Sequence, residues 1–392
     1  MYPKLTLKPG KEKSLLNFHP WVFSGAIASI TMEIEEGEVV EVFSSDKKYL
    51  ATAHFHDGSI TARIISFEQR EINLEFWKEK ITKAFSIRQE LGFVNNADTN
   101  CFRLVNAEGD RMPGLIVDVY DRTAVIQAHN VSMHGNVQLL AEIIAELFGN
   151  GFSVFDKSAE ALNRKNETSI QNKYLLGEKG NQIVSENGLK FFVDWEQGQK
   201  TGFFLDQRDN RALLMQYAKD KKVLNAFAYS GGFSVYALKG NASLVHSVDS
   251  SATAAQWAEK NVALNFPGDN RHTFFTEDVF DFLKKTGENY EVMILDPPAF
   301  AKHQSAVKNA AIAYRNMNAE AMKRIAPQGI LFTFSCSQHI DKMLFQKIIF
   351  SAAAIAKRNV RVLHQLHQPA DHAFSIYHPE GEYLKGLVLM VE

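Results

Sequence analysis

A multidomain chain is predicted: a small β-barrel or sandwich, then a compact α+β module, then a larger doubly wound α/β domain. Three observations carry this reading. The first seventy residues are short β-branched runs with turn punctuation, and the next hundred set strand-like runs around one amphipathic helix. From Lys221 onward, strand and helix alternate. Short strands separated by turns close into sandwiches or barrels, whereas alternating strands and helices build a parallel sheet covered on both faces.

In the first segment, Glu36–Phe43 alternates around Val39, Val40 and Val42, and Ser59–Ser66 is rich in β-branched residues. Ser45-Asp46 and Asp57-Gly58 mark turns. Leu74, Trp77, Ile81, Ala84 and Leu91 recur at helical spacing and predict a connector helix. Cys101–Asp110 and Gly114–His129 read as two strands, Ser132–Phe148 as one amphipathic helix, and Gly151–Asp156 as a further strand. Asn187-Gly188 inside NQIVSENGLKFFVD predicts a hairpin. The expected boundaries are 1–72, 73–184 and 185–392. In the last domain the strands are KVLNAF, LVHSVDS, HTFFTED, EVMILDPP, GILFTFSCS, VRVLHQL and GLVLMVE. A doubly wound sheet of this kind binds ligands beyond the carboxyl ends of its strands.

Composition narrows the function classes. Apolar residues are 45% and charged residues 22%, which suits a globular chain and excludes long disorder. The net charge is −2, and the three segments carry −2 (8 Lys+Arg, 10 Asp+Glu), −2 (12 and 14) and +2 (23 and 21). A nucleic-acid surface must then be a local patch. Two cysteines, Cys101 and Cys336, cannot make a disulfide framework or a four-cysteine zinc site. With no secretory signal at the N-terminus and no long apolar run, a cytoplasmic, thiol-reducing address is expected. His364, His367, His372 and His378 lie in late, irregular chain and read as structural or solvated, so no metal is expected.

The motifs sit at strand ends. Tyr229-Ser230-Gly231-Gly232 makes a tight strand-to-helix turn that lacks both the GxGxxG pattern and a P-loop lysine. Asp249 closes the second strand, where a carboxylate accepts ribose hydroxyls. Its plainer role would be to cap the helix starting near Ser251. Asp278 closes the third strand and could accept from an adenine amine or cap a helix. The fourth strand ends in Asp296-Pro297-Pro298-Ala299-Phe300, where the prolines stop the ladder and fix the acid. The fifth ends in Ser335-Cys336-Ser337, on the same edge as Asp296. A strand cysteine is most often a small buried hydrophobe, but this one stands where a nucleophile should be.

A Gly-rich first turn followed by acids after the second and third strands resembles the class I S-adenosylmethionine-dependent methyltransferases. Phe18–Gly25 (FHPWVFSG), Arg103–Asp110 with Pro113–Asp118, and Lys200–Arg208 (KTGFFLDQR) extend the resemblance over nearly the whole chain. They resemble, in turn, the PUA domain, the central EEHEE domain and the catalytic-domain entry loop of the RlmI-like large-subunit rRNA cytosine-C5 methyltransferases. That resemblance implies a seven-stranded Rossmann-like catalytic domain and 5-methylcytosine formation in 23S rRNA or a large-subunit assembly intermediate. Cys336 would be the nucleophile and Asp296 its partner on the base. For S-adenosylmethionine the resemblance implies Thr201, Phe203, Phe204, Asp206 and Arg208 from the entry loop. It adds Phe227, Tyr229, Ser230, Gly231 and Gly232 from the first turn. Asp249, Ser250, Asn261, Asp278, Val279, Asp296 and Pro297 follow from the next strands and helices. Pro298, Phe300 and Lys302 would face the substrate base.

Two other readings compete. Asp-Pro-Pro-x-aromatic also suits methylation of a guanine or adenine nitrogen, which needs no cysteine. A non-catalytic RNA-binding assembly factor would predict a degraded cofactor edge. A homodimer stays open, and a second cysteine, which some cytosine-C5 RNA methyltransferases carry after the Pro-Pro pair, is replaced here by Ala299.

Overall fold

Six short strands near the N-terminus share one sheet, and five of them turn apolar residues to a common core of Leu5, Leu7, Val22, Val40, Val42, Ala51, Ala53, Ala62 and Ile64. The computed structural model describes residues 2–163, 169–301 and 303–392. The chain forms two units, the first being Met1–Val184, Val193–Phe203 and Ala370–Gly381, the second Ser185–Phe192, Phe204–Pro369 and Glu382–Glu392.

The N-terminal sheet of the first unit runs Trp21–Phe23, Ile60–Ser66, Tyr49–Phe55, Val39–Phe43, Lys4–Leu7, Ile27–Ile30 from edge to edge. The connector helix spans Leu74–Glu90, and Asn73 caps it by accepting from the Phe76 amide at 3.1 Å. It buries Phe76, Trp77, Ile81 and Ala84. A five-stranded sheet follows in simple chain order: Cys101–Asn106, Leu115–Tyr120, Thr123–Ala128, Ser153–Asp156 and Lys173–Leu176. Two expectations change here. The stretch read as one strand at Gly114–His129 is a hairpin, turning where Asp121 takes a left-handed φ of 54°. The helix read as continuous over Ser132–Phe148 is two, Val131–Gly135 and Val137–Phe148. They meet at Asn136, whose side chain turns back to the Ser132 carbonyl.

The same unit recruits a segment from far along the chain. Asp371 Oδ2 accepts from the Arg103 amide at 2.9 Å, and the Asp371 carbonyl accepts from Arg88 Nη2 at 2.7 Å. Arg88 is also paired with Asp110. Gly109 has to be glycine, since a Cβ there would lie 2.0 Å from the Ala373 carbonyl oxygen.

The hairpin Ile183–Glu186 and Leu189–Phe192 turns at Asn187 and Gly188, both at positive φ (51° and 74°), as the Asn-Gly pair predicts. In the second unit we number strands β1 (Lys222–Ala226), β2 (Leu244–Asp249), β3 (His272–Thr276), β4 (Val292–Leu295), β5 (Gly329–Ser335), β6 (Val360–Leu366) and β7 (Lys385–Val391). The helices are α1 (Arg208–Ala218), α2 (Gly232–Lys239), α3 (Ala252–Asn265), α4 (Val279–Lys285), α5 (Val307–Arg324) and α6 (Lys342–Ala356). The seven strands lie in the order β3-β2-β1-β4-β5-β7-β6. Order reverses between β1 and β4, and that switch point opens a crevice at the carboxyl ends. One strand departs from the expected parallel sheet: β7 runs antiparallel to both β5 and β6. The chain returns after β6 through 370–384 and enters the gap from the opposite end. The core beneath the sheet includes Leu224, Val248, Met293, Leu295, Tyr314 and Leu331.

Among the described residues, no helix is long and apolar enough to cross a membrane.

Candidate active site

The register of the central strands sets the level of the site. Ala226 of β1 stands opposite Val248 of β2 and Leu295 of β4, and Leu295 opposite Thr333 of β5. Phe227, Asp249 and Asp296 therefore lie one residue beyond a common line, with Cys336 three residues beyond it on the next strand. At ~4.8 Å per strand, the row from Asp249 to Cys336 spans roughly 14 Å.

The first turn is strained. Phe227 and Tyr229 adopt positive φ (60° and 45°), a conformation that side chains with a Cβ rarely take. Asp249 holds this turn: its Oδ2 accepts from the Tyr229 amide at 3.0 Å and its Oδ1 from the Ser251 amide at 3.0 Å. The helix-capping role belongs instead to Ser251, whose Oγ accepts from the Ala254 amide. Asn261 on α3 secures the other side, donating to the Ser230 carbonyl at 2.8 Å and accepting from the Phe192 amide at 2.7 Å. Gly231 sits at φ 75°, and a Cβ there would lie 2.9 Å from that of Ala258. The glycine is thus required by backbone and helix packing, and Gly232 begins α2. The Ser230 hydroxyl is buried in the turn and has no hydrogen-bond partner among the described residues. Ser250 and Asp278 are exposed and Val279 is buried. Asp278 caps α4, its Oδ1 accepting from the Asp281 amide at 3.1 Å.

Aromatic rings line both halves of the edge. Phe204 meets Tyr229 edge-on at 5.2 Å, and Tyr229 meets Trp257 at 5.7 Å. From Phe227 a row continues through Phe280 to Phe300 and Tyr314, with centroids 6.5, 6.4 and 4.7 Å apart. Phe300, expected at the substrate, is therefore linked to Phe227, expected at the cofactor, by Phe280.

Toward β5, Cys336 is part-exposed and its Sγ lies 3.9 Å from the Pro297 carbonyl oxygen. Asp296 accepts from Gln207 Nε2 at 3.0 Å, and Gln207 Oε1 accepts from Asn210 Nδ2 at 2.7 Å. The buried Ser337 hydroxyl accepts from the Ala301 amide at 3.2 Å and lies 3.1 Å from the Tyr314 hydroxyl. Burial pushes the Tyr314 phenol up, so it stays protonated. Pro297 is buried and Pro298 exposed. Lys302 lies outside the described residues.

The entry-loop residues divide between the units. In the first, Thr201 Oγ1 donates to Asp118 Oδ2 at 2.6 Å, and the Phe203 amide donates to the Tyr120 hydroxyl at 3.2 Å. In the second, Asp206 Oδ2 accepts from Tyr383 at 2.8 Å, while Arg208 Nε lies 3.7 Å from Glu186. Glu186 is fully buried and also takes a two-pronged pair from Arg211, at 2.9 and 2.7 Å. Sequence reasoning missed Gln207, Asn210, Phe280 and Tyr314 at this edge. Gln207 stood within the quoted entry loop, so position was the available signal.

The second thiol, Cys101, is buried in the first strand of the five-stranded sheet. Among the described residues, no three His, Cys, Asp or Glu side chains cluster as a metal site would require. His364 bonds to Tyr217 at 2.7 Å, His367 to the Gln368 carbonyl at 2.7 Å, and His372 to Asp371 at 3.0 Å, while His378 packs on Trp21.

Comparison with known proteins bears on the fold and the family. Residues 5–67 match the PUA-like domain family, and residues 161–373 match the S-adenosylmethionine-dependent methyltransferase family. The chain is 39% identical over 399 residues to the ribosomal RNA large subunit methyltransferase I of Vibrio campbellii, covering 100% of both. Among solved structures, a putative SAM-dependent methyltransferase from Streptococcus mutans superposes with a TM-score of 0.86 at 22% identity, covering 99% of this chain and 100% of that one. A putative methyltransferase complexed with SAH gives 0.87 at 22% identity, with the same coverage.

Proposed function

The chain belongs to the ribosomal RNA large subunit methyltransferase I family of S-adenosylmethionine-dependent enzymes, and from that premise we propose that it methylates carbon 5 of a cytosine in 23S rRNA through a covalent adduct on Cys336. The observation that carries this reading is a part-exposed thiol against the Pro297 carbonyl, one residue from the Asp296 carboxylate.

The residues at the first turn fit a nucleoside. Asp249 lies at the edge with both oxygens oriented by backbone amides, and the buried Ser230 hydroxyl, which has no partner among the described residues, has a hydrogen bond still to make. Asp249, Ser230 and the Phe204–Tyr229 pair would hold the cofactor, with Asp278, Val279 and Asn261 framing it. Asp206, Arg208 and Ser250 belong to the same proposed set. S-adenosylmethionine, when bound, supplies the methyl group as an electrophile on a sulfonium leaving group.

Carbon 5 of cytosine is too weak a nucleophile to take a methyl group unaided. Cys336 would lose its proton to solvent and bond through sulfur to carbon 6, driving the carbon 5–carbon 6 π pair onto carbon 5. Asp296, entering as the carboxylic acid, would donate its proton to ring nitrogen 3, where the charge pushed in by sulfur collects, accept from the exocyclic amine with its other oxygen, and take the proton back when the adduct collapses. After carbon 5 is methylated, its proton leaves to a base, and the carbon–sulfur pair returns to Cys336. With Ala299 after the two prolines, that expulsion uses no second cysteine there. Pro298, Phe300 and Lys302 would border a base turned out of its stack, at a cost of a few kcal/mol. Residues 1–72 and 73–184 are proposed to position the RNA, and 185–392 to carry the reaction.

The test is to methylate 23S rRNA from a strain lacking this protein, using labelled cofactor, and to identify the nucleoside by mass spectrometry. 5-Methylcytidine is expected. A methylated guanosine or adenosine would replace this reading with nitrogen methylation.

A further inference from the structure

A thiol at pH 7 is mostly protonated, with an ordinary pKa of ~8.5, so the proposed nucleophile needs a nearby positive charge. The strand that follows supplies one. Lys385 opens β7 and stands in register opposite Ser335, one residue before Cys336. Its residue is 3% exposed, and its ammonium reaches the Ser337 carbonyl at 2.8 Å and the Tyr383 carbonyl at 2.6 Å. The side chain therefore bonds to the residue on the far side of Cys336 from its register partner.

The acceptors of Lys385 among the described residues are both neutral. A buried ammonium held by carbonyls is costly unless an anion stands within electrostatic reach. Among the described residues three groups do: Cys336, Glu382 and Asp341. Each carboxylate is engaged elsewhere. Glu382 is paired with Lys342, and Asp341 caps α6 through the Leu344 amide at 2.7 Å. Burial pushes the Lys385 ammonium down to about 8, and the Cys336 charge acts in the opposite sense. Among the described residues Tyr314 also faces this corner, its hydroxyl lying 3.1 Å from the Ser337 hydroxyl.

We propose that Lys385 is the positioning and activating cation of the site: its ammonium, fixed by two carbonyls, stabilises the Cys336 thiolate, and the thiolate is its compensating anion. This deepens the Cys336 reading and rests on it. No bond to carbon is required of Lys385, and the thiol proton goes to solvent.

The test is the pH dependence of Cys336 alkylation by iodoacetamide in the full-length protein, read on the Cys336 peptide by mass spectrometry. In Lys385→Gln, which keeps hydrogen-bonding capacity but loses the charge, the midpoint is expected to rise by at least one pH unit. Lys385→Arg should stay near wild type. Methyl transfer by Lys385→Gln should fall at least tenfold at pH 7.5 and recover toward wild type above pH 9, which a merely structural role would not produce. An unchanged midpoint in Lys385→Gln overturns the proposal. If that variant does not fold, the wild-type midpoint decides, because a value at or above ~8.5 contradicts activation. Methylation by Cys336→Ser at the wild-type rate would overturn the nucleophile reading instead. Loss in Cys336→Ser with an unchanged midpoint in Lys385→Gln overturns the role of Lys385 alone.

Discussion

Gln207 Nε2 donates to Asp296 Oδ1 at 3.0 Å, and Gln207 is itself oriented by the bond its Oε1 accepts from Asn210. Two residues at the start of α1 thereby fix the rotamer of an acid 89 positions later at the end of β4. Asp296 has the Pro-Pro pair to hold its backbone and this amide to hold its side chain.

Gln207→Leu should therefore leave the fold intact and lower kcat for methyl transfer about 10–100-fold, as expected when a reacting group is displaced by about 1 Å. Cofactor affinity should change little. Calorimetry with S-adenosylmethionine and a single-turnover methylation assay separate the two effects. A normal rate in the variant removes Gln207 from the positioning of Asp296.

Asp249 both orients the strained turn and faces the proposed ribose. Asp249→Ala should weaken S-adenosylmethionine binding by ~1–3 kcal/mol, the cost of leaving polar partners unsatisfied. Asp249→Asn retains an acceptor oxygen and should lose less. Equal affinity in wild type and Asp249→Ala, measured calorimetrically, excludes it from the cofactor site.

His54, 2% exposed and stacked on Trp77, is pushed down to about 3 by burial. Its Nδ1 has no hydrogen-bond partner among the described residues. The folded state holds it neutral, whereas the unfolded chain protonates it near 6.5. The unfolded state then binds the extra proton between these values, so this contribution is complete above pH 6.5 and lost as pH falls toward about 3. His54→Leu should flatten that acid limb, sparing on the order of 3 kcal/mol at pH 4. Denaturant unfolding from pH 4 to 7 checks it, and parallel pH curves for both proteins would contradict it.

Strand existence at the centre of the second unit was legible because those runs are buried on both faces, as GILFTFS in β5 is throughout. Direction was less legible. LVLMV reads the same either way, and only the chain's return after β6 makes β7 antiparallel. The strand-end residues Asp249, Asp296 and Cys336 could be found by position, because the sheet's geometry brings strand ends together. Gln207 and Lys385 could not be singled out so. Their partners lie 89 and 48 positions away, and periodicity reports which face is buried, not which polar groups meet there. The anchoring of Asp371 on Arg103, 268 positions apart, was hidden for the same reason.

The account depends most on a bond between Cys336 sulfur and carbon 6 of a cytosine. RNA substrate carrying 5-fluorocytosine tests it directly, since fluorine cannot leave carbon 5 as a proton does and the adduct is trapped. Wild-type protein with S-adenosylmethionine is expected to give a denaturant-resistant protein–RNA species whose cross-linked peptide contains Cys336, and Cys336→Ser is expected to give none. A Cys336→Ser protein that methylates at the wild-type rate, or a wild type that turns over the fluorinated RNA without trapping, would contradict the mechanism.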